Sequence, residues 1–148
     1  MVVENEFTRA LDALVREKGG EVPQLDDNGT VTFSVDGVAL SFVCGDGEPE
    51  YVYCSAVVGS LEGLEHADRV LEDLLQANFF WQGTEGGTLS VLEETNEVML
   101  ADRRVASFFE TAEDLLGYVK AMAACVADWR EHLDAYRPEP VDGQEAQA

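Results

Sequence analysis

Apolar residues recur along this chain with two distinct periods, and the switches between them lay out its elements. From Asn5 to Lys18, the residues Phe7, Leu11, Leu14 and Val15 fall at helical spacing and make one stripe. Asn5 is placed to cap the first turn, Arg16 and Lys18 sit where cations suit the helix dipole, and Gly19-Gly20 ends the helix. A polar loop from Pro23 to Gly29 follows, and then the period drops to two. Thr30 to Val35 sets Val31, Phe33 and Val35 on one face, and Asp36-Gly37 is a two-residue hairpin signal. Val38 to Cys44 returns with Val38, Leu40, Phe42 and Cys44 on one face and Ala39, Ser41 and Val43 on the other. After a turn at Gly45 to Pro49, Tyr51 to Val58 reads as a third strand that is apolar on both faces. Pairing Cys44 with Tyr51 would set Cys54 opposite Ser41 and keep Cys44 and Cys54 apart, which argues against a disulfide between them.

The helical period resumes from Leu64 to Ala77. Leu64, Ala67, Leu71, Leu74, Leu75 and Asn78 lie on or near one stripe that Val70 widens, while Glu62, Glu65, Asp68, Glu72 and Asp73 take the opposite side. Phe79-Phe80-Trp81 forms an apolar hinge, Gly83 and Gly86-Gly87 a turn, and Thr88 to Leu92 with Glu97 to Ala101 a hairpin around Glu94-Thr95-Asn96. The last helix starts at Thr111, where Thr111-Ala112-Glu113-Asp114 reads as a capping box. Leu115, Val119, Met122, Val126, Trp129, Leu133 and Tyr136 then alternate four and three apart, a heptad-like seam. It reads as a long helix laid over its own sheet, with a contact between chains as the alternative. Pro138 and Pro140 stop it.

The order is α-β-β-β-α-β-β-α. It predicts an α+β domain over residues 1–137, a twisted antiparallel sheet with helices packed on it, and an acidic tail over 138–148 that is expected to be disordered.

Charge narrows the function. Thirty acidic residues face nine basic ones, a net charge of −21, and no basic residue stands between Lys18 and Arg69. Such a surface repels a phosphate backbone and anionic headgroups, so neither nucleic acid nor membrane is an expected partner. It attracts basic or polar polypeptide and keeps an exposed apolar patch soluble. The N-terminal MVVENEF lacks the basic and apolar regions of a signal peptide, and no run of apolar residues is long enough to span a bilayer. Three cysteines, an odd number lying in apolar runs, fit a reducing cytoplasm.

No catalytic constellation emerges. His66 and His132 lie on predicted helices without metal-ligand spacing and read as solvated, and no nucleophile elbow or phosphate-binding loop occurs. Gly83 to Gly87 precedes a strand, contains an acid and lacks the lysine of a phosphate cradle, so it reads as a turn. Asp26-Asp27 and Glu93-Glu94 lack calcium-loop spacing. The expectation is a non-enzyme with no metal or cofactor.

Leu74-Leu75, Asn78-Phe79-Phe80, Gln82-Gly83, Thr88-Leu89, Glu93-Glu94 and Arg103-Arg104 together resemble the Tir-chaperone (CesT-like) family of type III secretion chaperones. The resemblance extends over Asn5 to Tyr136 and takes in the element order. It implies a homodimer that binds an extended N-terminal segment of a secreted effector and keeps it export-competent. It implies dimerisation through the second helix and the strand after it, here Leu71, Leu74, Leu75, Phe79 and Leu89, and effector contact on the first helix and sheet, here Phe7, Leu11, Leu14, Phe33, Phe42 and Tyr53. Independently, several strands are apolar on both faces, more than one helical layer covers. The competing reading is an acidic YbjN-like regulatory or sensory domain that binds a folded partner or small ligand. A hydrolase ranks third.

Overall fold

The computed structural model describes residues 4–19, 26 and 29–139. Most of the polar loop at 23–29 and nearly all of the acidic tail lie outside them. Helix α1 (Glu6–Glu17) opens on a reciprocal cap: the Asn5 side chain accepts the Thr8 N–H at 3.0 Å, and Thr8 Oγ1 accepts the Asn5 N–H at 2.9 Å. Strands β1 (Thr30–Val35), β2 (Val38–Cys44) and β3 (Tyr51–Ser60) follow, then α2 (Ala67–Ala77), β4 (Thr88–Leu92), β5 (Glu97–Val105) and α3 (Ala112–Asp134). The strands form one antiparallel sheet in the order β1-β2-β3-β5-β4. This is the α+β arrangement expected.

Three local readings need correction. The β2–β3 register pairs Cys44 with Val52 and Phe42 with Cys54, one residue from the Cys44–Tyr51 pairing. A one-residue slip turns a strand over, and only the observed register keeps Phe42 and Cys54 both on the buried face. All three cysteines are free, as the absence of a bridge requires. Helix α2 starts at Ala67 rather than Leu64, because Gly63 and His66 take left-handed φ of 77° and 56° and hold the preceding residues in turns. Strand β5 runs on to Val105, past Ala101.

That extension is hidden in the sequence because its inward positions are Asp102 and Arg104. Asp102 Oδ2 accepts from Arg104 Nε at 2.9 Å and from the Tyr118 hydroxyl of α3 at 2.8 Å, and Oδ1 accepts the Arg103 N–H at 2.8 Å. A buried carboxylate is tolerable only when its lone pairs are filled in this way. Cys54 stands opposite Asp102 on β3. Burial pushes its thiol up to about 12, with the Tyr118 hydrogen bond opposing and Asp102 reinforcing. Burial, aided by Cys54 and Asp102, likewise raises Tyr118.

One face of the sheet carries the core. Val31, Leu40, Phe42, Val52, Cys54, Val98 and Leu100 are buried there against the helices. Phe7 of α1 packs on Phe42 and Phe109 with ring centroids 5.1 and 5.3 Å apart. The α3 seam lies within the chain: Leu115, Val119, Met122, Val126 and Leu133 are buried, and Trp129 and Tyr136 pack against that core. The helix crosses β3 so closely that a Cβ on Gly59 would sit 3.0 Å from Leu133 Cδ1.

A single side chain ties α2 to the last hairpin. Asn78 donates from Nδ2 to Leu89 O at 3.0 Å and accepts the Leu89 N–H on Oδ1 at 2.8 Å. It thereby behaves as a strand residue on the free edge of β4. The turn beyond it is pinned to α3 by Trp129 Nε1, which donates to Gly83 O at 2.8 Å, and closed by the buried Thr84 hydroxyl, which donates to Gly87 O.

Two outcomes follow for stability. Asn78→Ala strips both partners from Leu89 and should cost about 1–3 kcal/mol in denaturant unfolding. A raised Cys54 means that the folded chain holds its proton where the unfolded chain has lost it. Stability is therefore full below the ordinary thiol value of 9.0 and falls as pH rises from there to about 12. Urea midpoints measured from about pH 8 to about pH 11 should drop, with Cys54 contributing about 1.4 kcal/mol per pH unit, and Cys54→Ala should flatten that slope.

Candidate partner-binding surfaces

Helix α2 divides its apolar residues between core and surface. Val70 and Leu74 are buried beneath it, and Leu89 is buried on β4. Leu71, Leu75 and Phe79 follow one another at i, i+4 spacing on the solvent side, and Leu75 and Phe79 are 71% and 68% exposed. Of the five residues expected at a dimer contact, three thus form an outer ridge and two belong to the core.

The ridge continues through Phe80 and Trp81, which the residue-level expectation left out. Both have left-handed φ, 53° and 55°, so the backbone turns sharply and leaves them 70% and 53% exposed. Left-handed backbone is strained for aromatic residues. The signal was present in the sequence: three consecutive bulky aromatics before a glycine turn cannot all reach one core. A contiguous apolar surface of this kind is a candidate interaction site.

The six effector-contact candidates separate more sharply. Phe7, Leu11, Leu14 and Phe42 are core residues of the chain itself, with Phe7 and Phe42 fully buried. The first helix has a single apolar stripe, and packing on α3 and the sheet uses it up. Phe33 is half-buried on β1, stacked on Phe42 at 5.3 Å, and Tyr53 is exposed on the opposite sheet face. Phe33 and Tyr53 are the two that present surface.

The sheet's two edges are also unlike. Asn78 occupies the β4 edge at Leu89. At β1, Asp26 bonds both backbone groups of Thr30, donating its N–H to Thr30 O at 2.8 Å and accepting the Thr30 N–H on Oδ1 at 2.9 Å. Among the described residues nothing pairs with the outer edge of β1 beyond Thr30, from Thr32 to Val35. An unpaired strand edge is a template for another strand.

Cys54 and Cys125 are held protonated by burial, the latter up to about 11, and a thiol is not the nucleophile that a thiolate is. No group of three His, Cys, Asp or Glu among the described residues is placed to hold a metal. His132, read as solvated, instead lies 2.8 Å from Asp73 Oδ2, which also accepts from the Tyr136 hydroxyl, so the pair fastens α3 to α2. No described helix is long and apolar enough to cross a membrane.

Comparison with solved structures returns the same fold repeatedly. A chain of the ExsC–ExsE complex superposes with a TM-score of 0.64 at 21% identity, covering 90% of this chain and 95% of that one. A chain of the HopA1–SchA chaperone–effector complex gives 0.62 at 18% identity, covering 86% and 92%. The Yersinia pestis type III secretion chaperone SycH, in complex with a stable fragment of YscM2, gives 0.63 at 14% identity, covering 82% and 98%. No curated protein sequence matches the chain. The sequence pattern of the Tir chaperone protein (CesT) family matches residues 9–130, most of the chain, and the chain belongs to that family.

Proposed function

We propose that the chain is a type III secretion chaperone that acts without enzymatic chemistry in the cytoplasm, as a homodimer that holds an extended segment of a secreted effector. Family membership supports this, as does the likeness in fold to chaperones in complex with effectors. The observation that carries it is a pairing of surfaces: an exposed apolar ridge on α2 and its aromatic turn, and an unpaired strand edge at β1.

The two surfaces suit two occupants. The ridge of Leu71, Leu75, Phe79, Phe80 and Trp81 suits a second copy, because a rigid helix face with large aromatics buries area at little entropic cost. The β1 edge with Phe33 suits an extended segment, which gains main-chain hydrogen bonds with little demand on its sequence and sets alternate side chains against the sheet. Phe42, itself packed on Phe7, then supports Phe33 from beneath. The acidic surface keeps the complex soluble and speeds encounter with a segment rich in Lys and Arg.

Sedimentation equilibrium at micromolar concentration should give a dimer, whose contact buries at least about 1,200 Å². Leu75→Asp, which sets a charge on the ridge without touching the core, should shift it toward monomer with an unchanged far-UV circular dichroism spectrum. A monomer of the wild type across that range rejects the assignment of the ridge. Co-purification from the native host should recover a polypeptide whose bound segment is protease-protected without forming a compact domain. Phe33→Asp should release it, and added salt should slow its association more than it alters dissociation. Protection of the partner only as an intact folded domain selects the regulatory-domain reading instead.

A further inference from the structure

The face of the sheet turned away from the helices differs in charge from the rest of the chain. On its five strands the outward positions carry one acidic residue, Glu97 at the start of β5, in a chain with thirty acids. The same face carries Arg103, whose guanidinium lies over the Tyr51 ring at 4.2 Å. Its centre is not closed. β2 and β3 pair from Cys44–Val52 only as far as Ser41–Ser55, and the first residues of β2 then part from β3. The gap is a cleft of about 140 Å³ lined by Ala39, Ser41, Ser55, Val57 and Met99, with Arg130 of α3 also lining it.

Arg130 arrives from the helical side. It donates from Nε to Val58 O at 3.1 Å and from Nη2 to Val57 O at 3.0 Å, at the irregularity where β3 shifts register against β5. A guanidinium has five N–H donors, and these bonds use two. No described carboxylate forms an ion pair with it. The cleft thus combines apolar walls, two hydroxyls and a cation whose remaining donors have no partner among the described residues.

We infer that this cleft receives a glutamate side chain of the bound partner segment, its methylenes against Ala39, Val57 and Met99 and its carboxylate on Arg130. The volume suits one side chain, and the walls suit an aliphatic stem ended by a charge. The net charge of −21 opposes an acid elsewhere, so one acid accepted here fixes the register of an otherwise basic segment. The source of the carboxylate rests on the chaperone reading; the cleft itself is testable without any effector.

The probe is N-acetyl-glutamate N-methylamide, titrated into the full chain at constant ionic strength and followed by amide and arginine Nε–H NMR shifts. The expected result is a saturable shift at Ser41, Ser55, Val57 and Met99 and at the Arg130 Nε–H, at least about tenfold weaker with the glutamine analogue. Arg130→Lys, which keeps the charge but not the fork, and Ala39→Phe, which fills the cleft and leaves the Arg130 bonds to β3 in place, should each abolish the localised shift. Equal response to both analogues marks an apolar hole and overturns the inference. So does a response that survives Ala39→Phe, or no response up to the solubility of the probe. A silent cleft in a chain that still recovers an effector sinks this inference alone, whereas a chain that recovers no polypeptide sinks the chaperone reading.

Discussion

The structure depends on one geometrical constraint: a single layer of helices covers a single face of a sheet. Burying one face of this five-stranded sheet consumes the apolar stripe of α1, the whole seam of α3 and the inner side of α2. Nothing of comparable size remains for the other face or for the outer side of α2. The chain answers in two ways. The open sheet face mixes small and hydroxylated residues, Thr32, Ser41, Ser55 and Ala101, with the exposed Tyr53, Val57 and Leu92. The outer side of α2 and the turn after it keep Leu71, Leu75, Phe79, Phe80 and Trp81 exposed.

Polar side chains then do what backbone pairing does elsewhere. Asn78 stands in for a strand beside β4, Asp26 does so at the start of β1, and Arg130 satisfies two β3 carbonyls where β2 falls away. Each meets the demand that a main-chain donor or acceptor leaving water find a partner. They have a second consequence. A strand edge filled by a side chain is closed to another chain at that residue, whereas the later part of β1 has no such filling among the described residues.

Much of this was legible from the period of the apolar residues. Element order, the caps at Asn5 and Thr111 and the β1–β2 hairpin follow from residue type and spacing, because one residue type per position suffices to mark a buried stripe, but spacing left open whether the α3 seam lay within the chain or between chains. What escaped had physical causes. The end of β5 was invisible because Asp102 and Arg104 occupy inward positions that only Tyr118, distant in sequence, makes tolerable. The β2–β3 register turned on how many residues its turn consumes. Most important for the surfaces, periodicity reports that Phe7, Leu11, Leu14 and Phe42 lie on apolar stripes but not what covers each stripe, and α3 covers these. Exposure of Leu75, Phe79, Phe80 and Trp81 is a property of what is missing above them, which no window of sequence contains.

The charge distribution follows from the same asymmetry. A strongly negative chain gains solubility but repels its own kind, so acids beside an apolar ridge weigh against contact between two copies and favour a partner of opposite charge. On α2 the acids Asp68 and Glu72 share the solvent side with Leu71 and Leu75, whereas Asp73 lies on the flank, held by His132 of α3 and by Tyr136 just beyond it. The held carboxylate fixes the rotation of the helix about its axis. Rotating α2 to bury Leu75 would break those bonds and carry Leu74 toward water. The ridge therefore faces outward because of a polar pair on its flank, and the surface offered to a partner is set as much by His132 and Asp73 as by the leucines themselves.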